Sequence, residues 1–75
     1  MDTQEKLAHL AGAYGHDDIE GLIEEYSFEC SVPGICMEEH CTHIEDSVEH
    51  DCSGGHCEAC GCSSVASPMV TLCLI

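Results

Sequence analysis

Two cysteine pairs constrain this chain more than any other feature. Cys36 and Cys41 enclose four residues, Cys57 and Cys60 enclose two, and the fifteen residues Thr42 to His56 separate the pairs. A tight turn presents two sulfurs at once, so two such turns facing each other supply four soft donors to one point with little loss of chain entropy. The spacing predicts a single tetrathiolate site of the zinc-ribbon kind, with Cys36, Cys41, Cys57 and Cys60 as the metal ligands. Four thiolates close the coordination sphere, so the expected metal is structural and no catalysis is expected at it. Iron in the same ligand set would give a rubredoxin-like electron carrier. The longer first gap, Met37 to His40, favours zinc over that alternative.

At 75 residues the chain has material for one compact unit, which at this size needs a staple beyond its apolar core. Eight cysteines could staple it as disulfides in an oxidising compartment. The opening segment Met1 to Lys6 is polar and no apolar signal core follows it, so the expected compartment is the reducing cytoplasm, where such pairs bind metal.

Charge narrows the partners. Fifteen Asp and Glu stand against one basic residue, Lys6, giving a formal net charge of −14. Nucleic-acid binding depends on Lys and Arg displacing counterions, so no nucleic-acid partner is expected, and anionic membranes are excluded on the same ground. The longest apolar stretch, Met69 to Ile75, is broken by Thr71 and too short to span a bilayer. A protein partner with a basic surface fits the charge, as does a purely solvating role for it.

Along the chain, Asp2 and Glu5 have capping-box spacing, and Leu7, Leu10, Ala11 and Tyr14 recur at helical intervals up to a stop at Gly15. Asp17 and Glu20 repeat the signal ahead of Ile19, Leu22, Ile23 and Tyr26, with both tyrosines expected in the core. The two stripes predict a helical hairpin over residues 1–28. A DNA-reading helix-turn-helix fails, because the second helix would carry Asp17, Asp18, Glu20, Glu24 and Glu25 into phosphates. From Phe28 the period shortens: Phe28, Cys30 and Val32 alternate with polar residues, and Pro33-Gly34 predicts a turn into the first cysteine pair. Thr42 to Glu49 reads as a strand and Asp51 to Gly55 as a turn. Gly61 after Cys60 suits a metal knuckle that needs positive φ. A closing strand through Val65 is expected next, and Ser67-Pro68 predicts a short helix with Met69, Leu72, Cys73 and Ile75 inward. Strand to the end is the competing reading there, since Val70, Thr71 and Ile75 are β-branched. The expected class is therefore small metal-stabilised α+β: a helical hairpin, then over residues 29–75 a ribbon of two to three short antiparallel strands with a short C-terminal helix or strand, packed as one unit.

Cys30, Cys52, Cys62 and Cys73 are surplus to the site, as are His40, His43, His50 and His56 beside it. Cys30 and Cys73 read as small packing groups. Cys52, Cys62, His50 and His56 could converge on a second ion and make the protein a metallothionein-like store, although they lack paired turns. His40 or His56 could replace a neighbouring thiolate. Cys57-Glu58-Ala59-Cys60 lacks the βαβ setting of a redox dithiol, and the carboxylates form no sign of a hydrolytic site, so the chain is expected not to be an enzyme.

The run Ser31-Val32-Pro33-Gly34-Ile35-Cys36, the pair Cys57-Glu58-Ala59-Cys60-Gly61 and the apolar end Leu74-Ile75 resemble a family of small zinc-ribbon proteins of bacteria and tailed phages whose function is unassigned. The resemblance spans almost the whole chain, including the helical hairpin Leu7 to Tyr26, and it implies the same four cysteine ligands. Cysteines at 30, 52, 62 and 73 depart from that family's usual form. The resemblance implies the fold, the metal and a phage origin and assigns no activity; the role expected of the chain is that of a protein-protein interaction module, in the virion or in a host complex.

Overall fold

The fold is that of a computed structural model, which describes residues 2–72. Helix α1 spans Thr3–Ala13 and begins with the expected box: Asp2 Oδ1 accepts from Glu5 N at 2.8 Å, and Glu5 Oε1 accepts in return from Asp2 N at 3.3 Å. Such a cap contributes about 1 kcal/mol by satisfying amides the helix itself cannot pair. The helix stops where glycine allows it. Gly15 takes φ +79°, Gly15 N donates to Gly12 O, and His16 N reaches back to Ala11 O, a Schellman closure. Helix α2, Ile19–Tyr26, is capped by Asp18, whose Oδ1 accepts from Gly21 N at 2.9 Å. The sequence pointed to Asp17 for this cap. Asp18 holds it because the extended residue must directly precede Ile19 for its carboxylate to reach the amide three positions on.

Strand β1, Val32–Cys36, is buried at every residue. Pro33 and Gly34 therefore lie inside a strand, against the expected turn. A register shift between Val32 and Gly34 in the pairing with β2, Ile44–Val48, accommodates the proline, which has no amide to offer a ladder. Gly34 is required by proximity: a Cβ there would lie 2.8 Å from Val48 Cγ2 and 2.9 Å from Ala66 O. The alternation of Phe28 and Cys30 does not extend the strand. Phe28 is 99% exposed, in the turn that follows α2.

Two further strands complete the sheet. Ser53–Gly55, expected as a turn, forms β3, and Val65–Ala66 forms β4. Among the described residues the order is β2-β1-β4-β3 with antiparallel neighbours, one strand more than the sequence suggested. Gly54, at φ +87°, lets the Ser-Gly stretch follow β4 despite its poor strand propensity. Ser67 then caps α3, Pro68–Thr71, with Oγ accepting from Met69 N at 3.0 Å and proline in the first turn, as its spacing predicts. Met69 faces inward and Leu72 is 37% exposed, while Cys73 and Ile75 lie outside the described residues.

Two buried clusters pack around the sheet. Leu10, Leu22 and Ile35 are fully buried together, flanked by Tyr14, Ile19, Tyr26, Met37 and Ile44, and this cluster fastens the hairpin to β1. The tyrosine rings meet edge to face at 6.3 Å, half in the core as expected. Tyr14 Oη donates to Asp46 Oδ1 at 2.8 Å, tying α1 to β2; burial, then that bond, pushes its phenol up to about 12. The second cluster consists of Cys36, Cys41, Cys57 and Val65, with Val48 against it.

Candidate metal centre

Each cysteine of the second cluster has its own positioning device. Cys36 ends β1, where its N donates to His43 O at 2.9 Å and Met37 N donates to Ser64 O at 2.8 Å, so both sides of the strand fix its direction. The chain then folds back through Glu38, whose carbonyl accepts from Cys41 N at 3.0 Å. The second turn closes through Gly61, at φ +79°, whose N donates to Cys57 O, while Cys57 N donates to Cys62 O at 2.8 Å. A Cβ at position 61 would meet no atom, so the glycine serves the backbone angle alone.

The four sulfurs converge. All lie within 4.8 Å of one another, with Cys36 Sγ 3.7 Å from Cys60 Sγ and Cys41 Sγ 3.6 Å from Cys57 Sγ. A zinc ion with Zn–S bonds of ~2.3 Å holds its sulfurs about 3.8 Å apart along each edge of the tetrahedron. The separations of 3.7 and 3.6 Å are close to that edge, and the cysteines are free thiols rather than disulfides. Cys36, Cys41 and Cys57 are buried and Cys60 is exposed, so the group lies at the edge of the core with Cys60 on its outer side.

Backbone amides are aimed at the sulfurs, and burial works against them. Burial pushes the Cys36 thiol up to about 12, the neighbouring thiols add to this, and the Glu38 amide opposes it. At Cys41 the His43 amide favours the thiolate, but burial and the thiols of Cys57 and Cys60 carry the group above its ordinary value. Burial also opposes ionisation of Cys57, yet the amides of Cys60 and Ala59 and the thiols of Cys60 and Cys41 outweigh it and bring it down to about 6. One sulfur is thus prepared as a thiolate, and two others need a cation to become so.

The remaining donors stay apart. His40 and His56 are exposed and lie outside the four-sulfur group. His43 Nε2 pairs with Glu45 Oε1 at 2.7 Å, an interaction that raises its basicity against the effect of burial. Cys52 Sγ donates to Val65 O at 3.6 Å, and His50 Nε2 is buried without a partner. Among the described residues no second set of three His, Cys, Asp or Glu donors converges, so the grouping of Cys52, Cys62, His50 and His56 is not formed.

Sequence reasoning passed over the residue that binds the first turn most closely. Lys6, the chain's only Lys or Arg, is 1% exposed. Its Nζ donates to Cys36 O at 2.7 Å and also to the carbonyls of Glu38 and Cys41. Its position four residues before Leu10, on the apolar stripe, is the available signal. A lysine is rarely buried unless its charge is met, and here three N–H donors meet three carbonyls.

Among the described residues no helix is long and apolar enough to cross a membrane. Comparison with protein-family models, curated proteins and solved structures gives no match.

Proposed function

We propose that the chain is a non-enzymatic zinc ribbon in which one structural Zn2+, held by Cys36, Cys41, Cys57 and Cys60, makes a small acidic protein rigid enough to dock on a protein partner. The observation that carries the metal is the convergence of four sulfurs within 4.8 Å of one another, two of the separations being close to the edge of a zinc tetrahedron. Four protein ligands leave no coordination position for substrate, so the ion serves the fold.

The partner reading is supported by the distribution of charge. Lys6 is buried, so no Lys or Arg remains on the surface, whereas thirteen of the fifteen carboxylates are exposed. Such a surface favours a basic protein, repels nucleic acid and anionic membrane, and keeps the chain soluble. The resemblance to zinc-ribbon proteins of bacteria and tailed phages extends the proposal to a phage setting, in the virion or in a host complex.

Native mass spectrometry with elemental analysis, on protein purified without added metal, tests the centre. One zinc per chain is expected, and Cys57→Ser or Cys60→Ser should lose both the zinc and cooperative unfolding, because metal-binding free energy is folding free energy in such domains. Two or more zinc ions would make metal handling the better reading, iron would make it electron transfer, and a metal-free chain that melts cooperatively would overturn the metal centre altogether.

A further inference from the structure

We propose that Lys6 is a positioning residue of the metal centre: its buried ammonium gathers the carbonyls of Cys36, Glu38 and Cys41, which turns the first cysteine loop amide-first toward its sulfurs and sets a positive charge beside the tetrathiolate. This rests on the metal-centre reading given above.

The loop shows a division of labour between its polar groups. Carbonyl oxygens of both cysteines of the first pair, and of Glu38 between them, converge on Nζ. Amides from the same loop and its exit, those of Glu38 and His43, are directed at the sulfurs of Cys36 and Cys41 and favour their thiolates. Glu38 serves both sides, its carbonyl accepting from Nζ and its amide directed at the Cys36 sulfur. The ammonium also supplies what the ligand set lacks. Four thiolates around a divalent ion form a net dianion, and no other Lys or Arg exists in the chain to balance it.

Delivery of that charge depends on α1. Asp2 caps the helix and its carbonyl accepts from Lys6 N at 3.0 Å, so Lys6 lies in the first turn, with Leu7 and Leu10 buried beside it. The helical hairpin thereby becomes part of the metal site, through one side chain that reaches across about thirty residues of sequence to Cys36. A lysine on a solvated face would contribute little here, because water would screen it; burial is what makes its charge and its three donors count.

The test compares Lys6→Met, which keeps the length and apolar stem, with Lys6→Arg, which keeps the charge. Zinc affinity by chelator competition should fall about 10- to 100-fold in Lys6→Met, the cost usual for removing a group that orients metal ligands. Lys6→Arg should stay within about threefold of the wild type. In protein reconstituted with iron, Lys6→Met should lower the reduction potential and Lys6→Arg should restore it, since the cation stabilises the more negative ferrous site. A purely structural role would not move the potential with charge. Wild-type affinity and an unchanged potential in Lys6→Met would overturn the inference while leaving the zinc ribbon standing. Should Lys6→Met fail to fold even in excess zinc, hydrogen exchange of the wild type decides: loss of α1 protection when zinc is chelated is expected, and undiminished protection would overturn it. A wild-type chain that takes up no metal would sink the metal-centre reading itself.

Discussion

A buried cluster of thiols has to give up protons before it can hold a cation, and in this chain the sulfurs do not give them up equally. Cys57, brought down to about 6 by the amides of Cys60 and Ala59, is the most readily ionised of the three buried sulfurs. Cys36, pushed up to about 12, and Cys41, also raised, keep their protons until the metal displaces them. Zinc uptake at neutral pH therefore releases at least these two protons, and each proton competes with the ion. The sign follows directly: lower pH favours the protonated, metal-free cluster. Apparent metal affinity, measured with zinc by chelator competition, should rise at least about a hundredfold per pH unit between pH 6 and 8, corrected for the chelator's own protonation. A flat profile would mean that the sulfurs are ionised before the metal arrives, and that the amides outweigh burial at all of them.

At the scale of elements, β1 carries the greatest load. It is the strand to which the helices pack through Ile35, the one between β2 and β4, and the one that ends in a cysteine of the four-sulfur group. Gly34 is the point at which these demands meet, since a methyl there would enter the space of Val48 Cγ2 and Ala66 O. Gly34→Ala should cost about 1–3 kcal/mol by forcing the neighbouring strands apart. Denaturant unfolding of the zinc-loaded variant would read this, with an unchanged midpoint contradicting it. The same strand shows where the sequence was legible and where it was not. Caps and cysteine turns are local devices: Asp2 with Glu5, Ser67 with Pro68, Gly61 beside Cys60 and the spacing of the four converging cysteines could be read from neighbours alone. Pro33-Gly34 also looks local, but its turn propensity yields to pairing with β2 and β4, as the Ser-Gly stretch of β3 yields to pairing with β4. Lys6 was hidden for the same reason. Its three acceptors lie 30, 32 and 35 residues away, in a loop whose carbonyl directions no spacing encodes.

For the whole molecule the deciding quantity is charge against size. Thirteen exposed carboxylates occupy a body of 29 × 22 × 20 Å, and the one Lys or Arg that could offset them is committed to the interior. At 0.01 M salt the screening length is about 30 Å, as long as the molecule, so every surface carboxylate repels every other. At 1 M it shrinks to about 3 Å and only adjacent groups interact. Unfolding increases the distances and relieves the repulsion, which means that low salt favours the unfolded chain. The melting temperature of the zinc-loaded protein should therefore rise steadily as sodium chloride is increased from 0.01 to 1 M. The same titration should weaken binding to a basic partner, because attraction between opposite surfaces is screened along with repulsion within one. Stability and association would thus respond to salt in opposite directions. A melting temperature that fell with salt would place the net electrostatic contribution of folding on the favourable side, and the buried ammonium beside the metal centre would then outweigh the repulsion of the entire acidic surface.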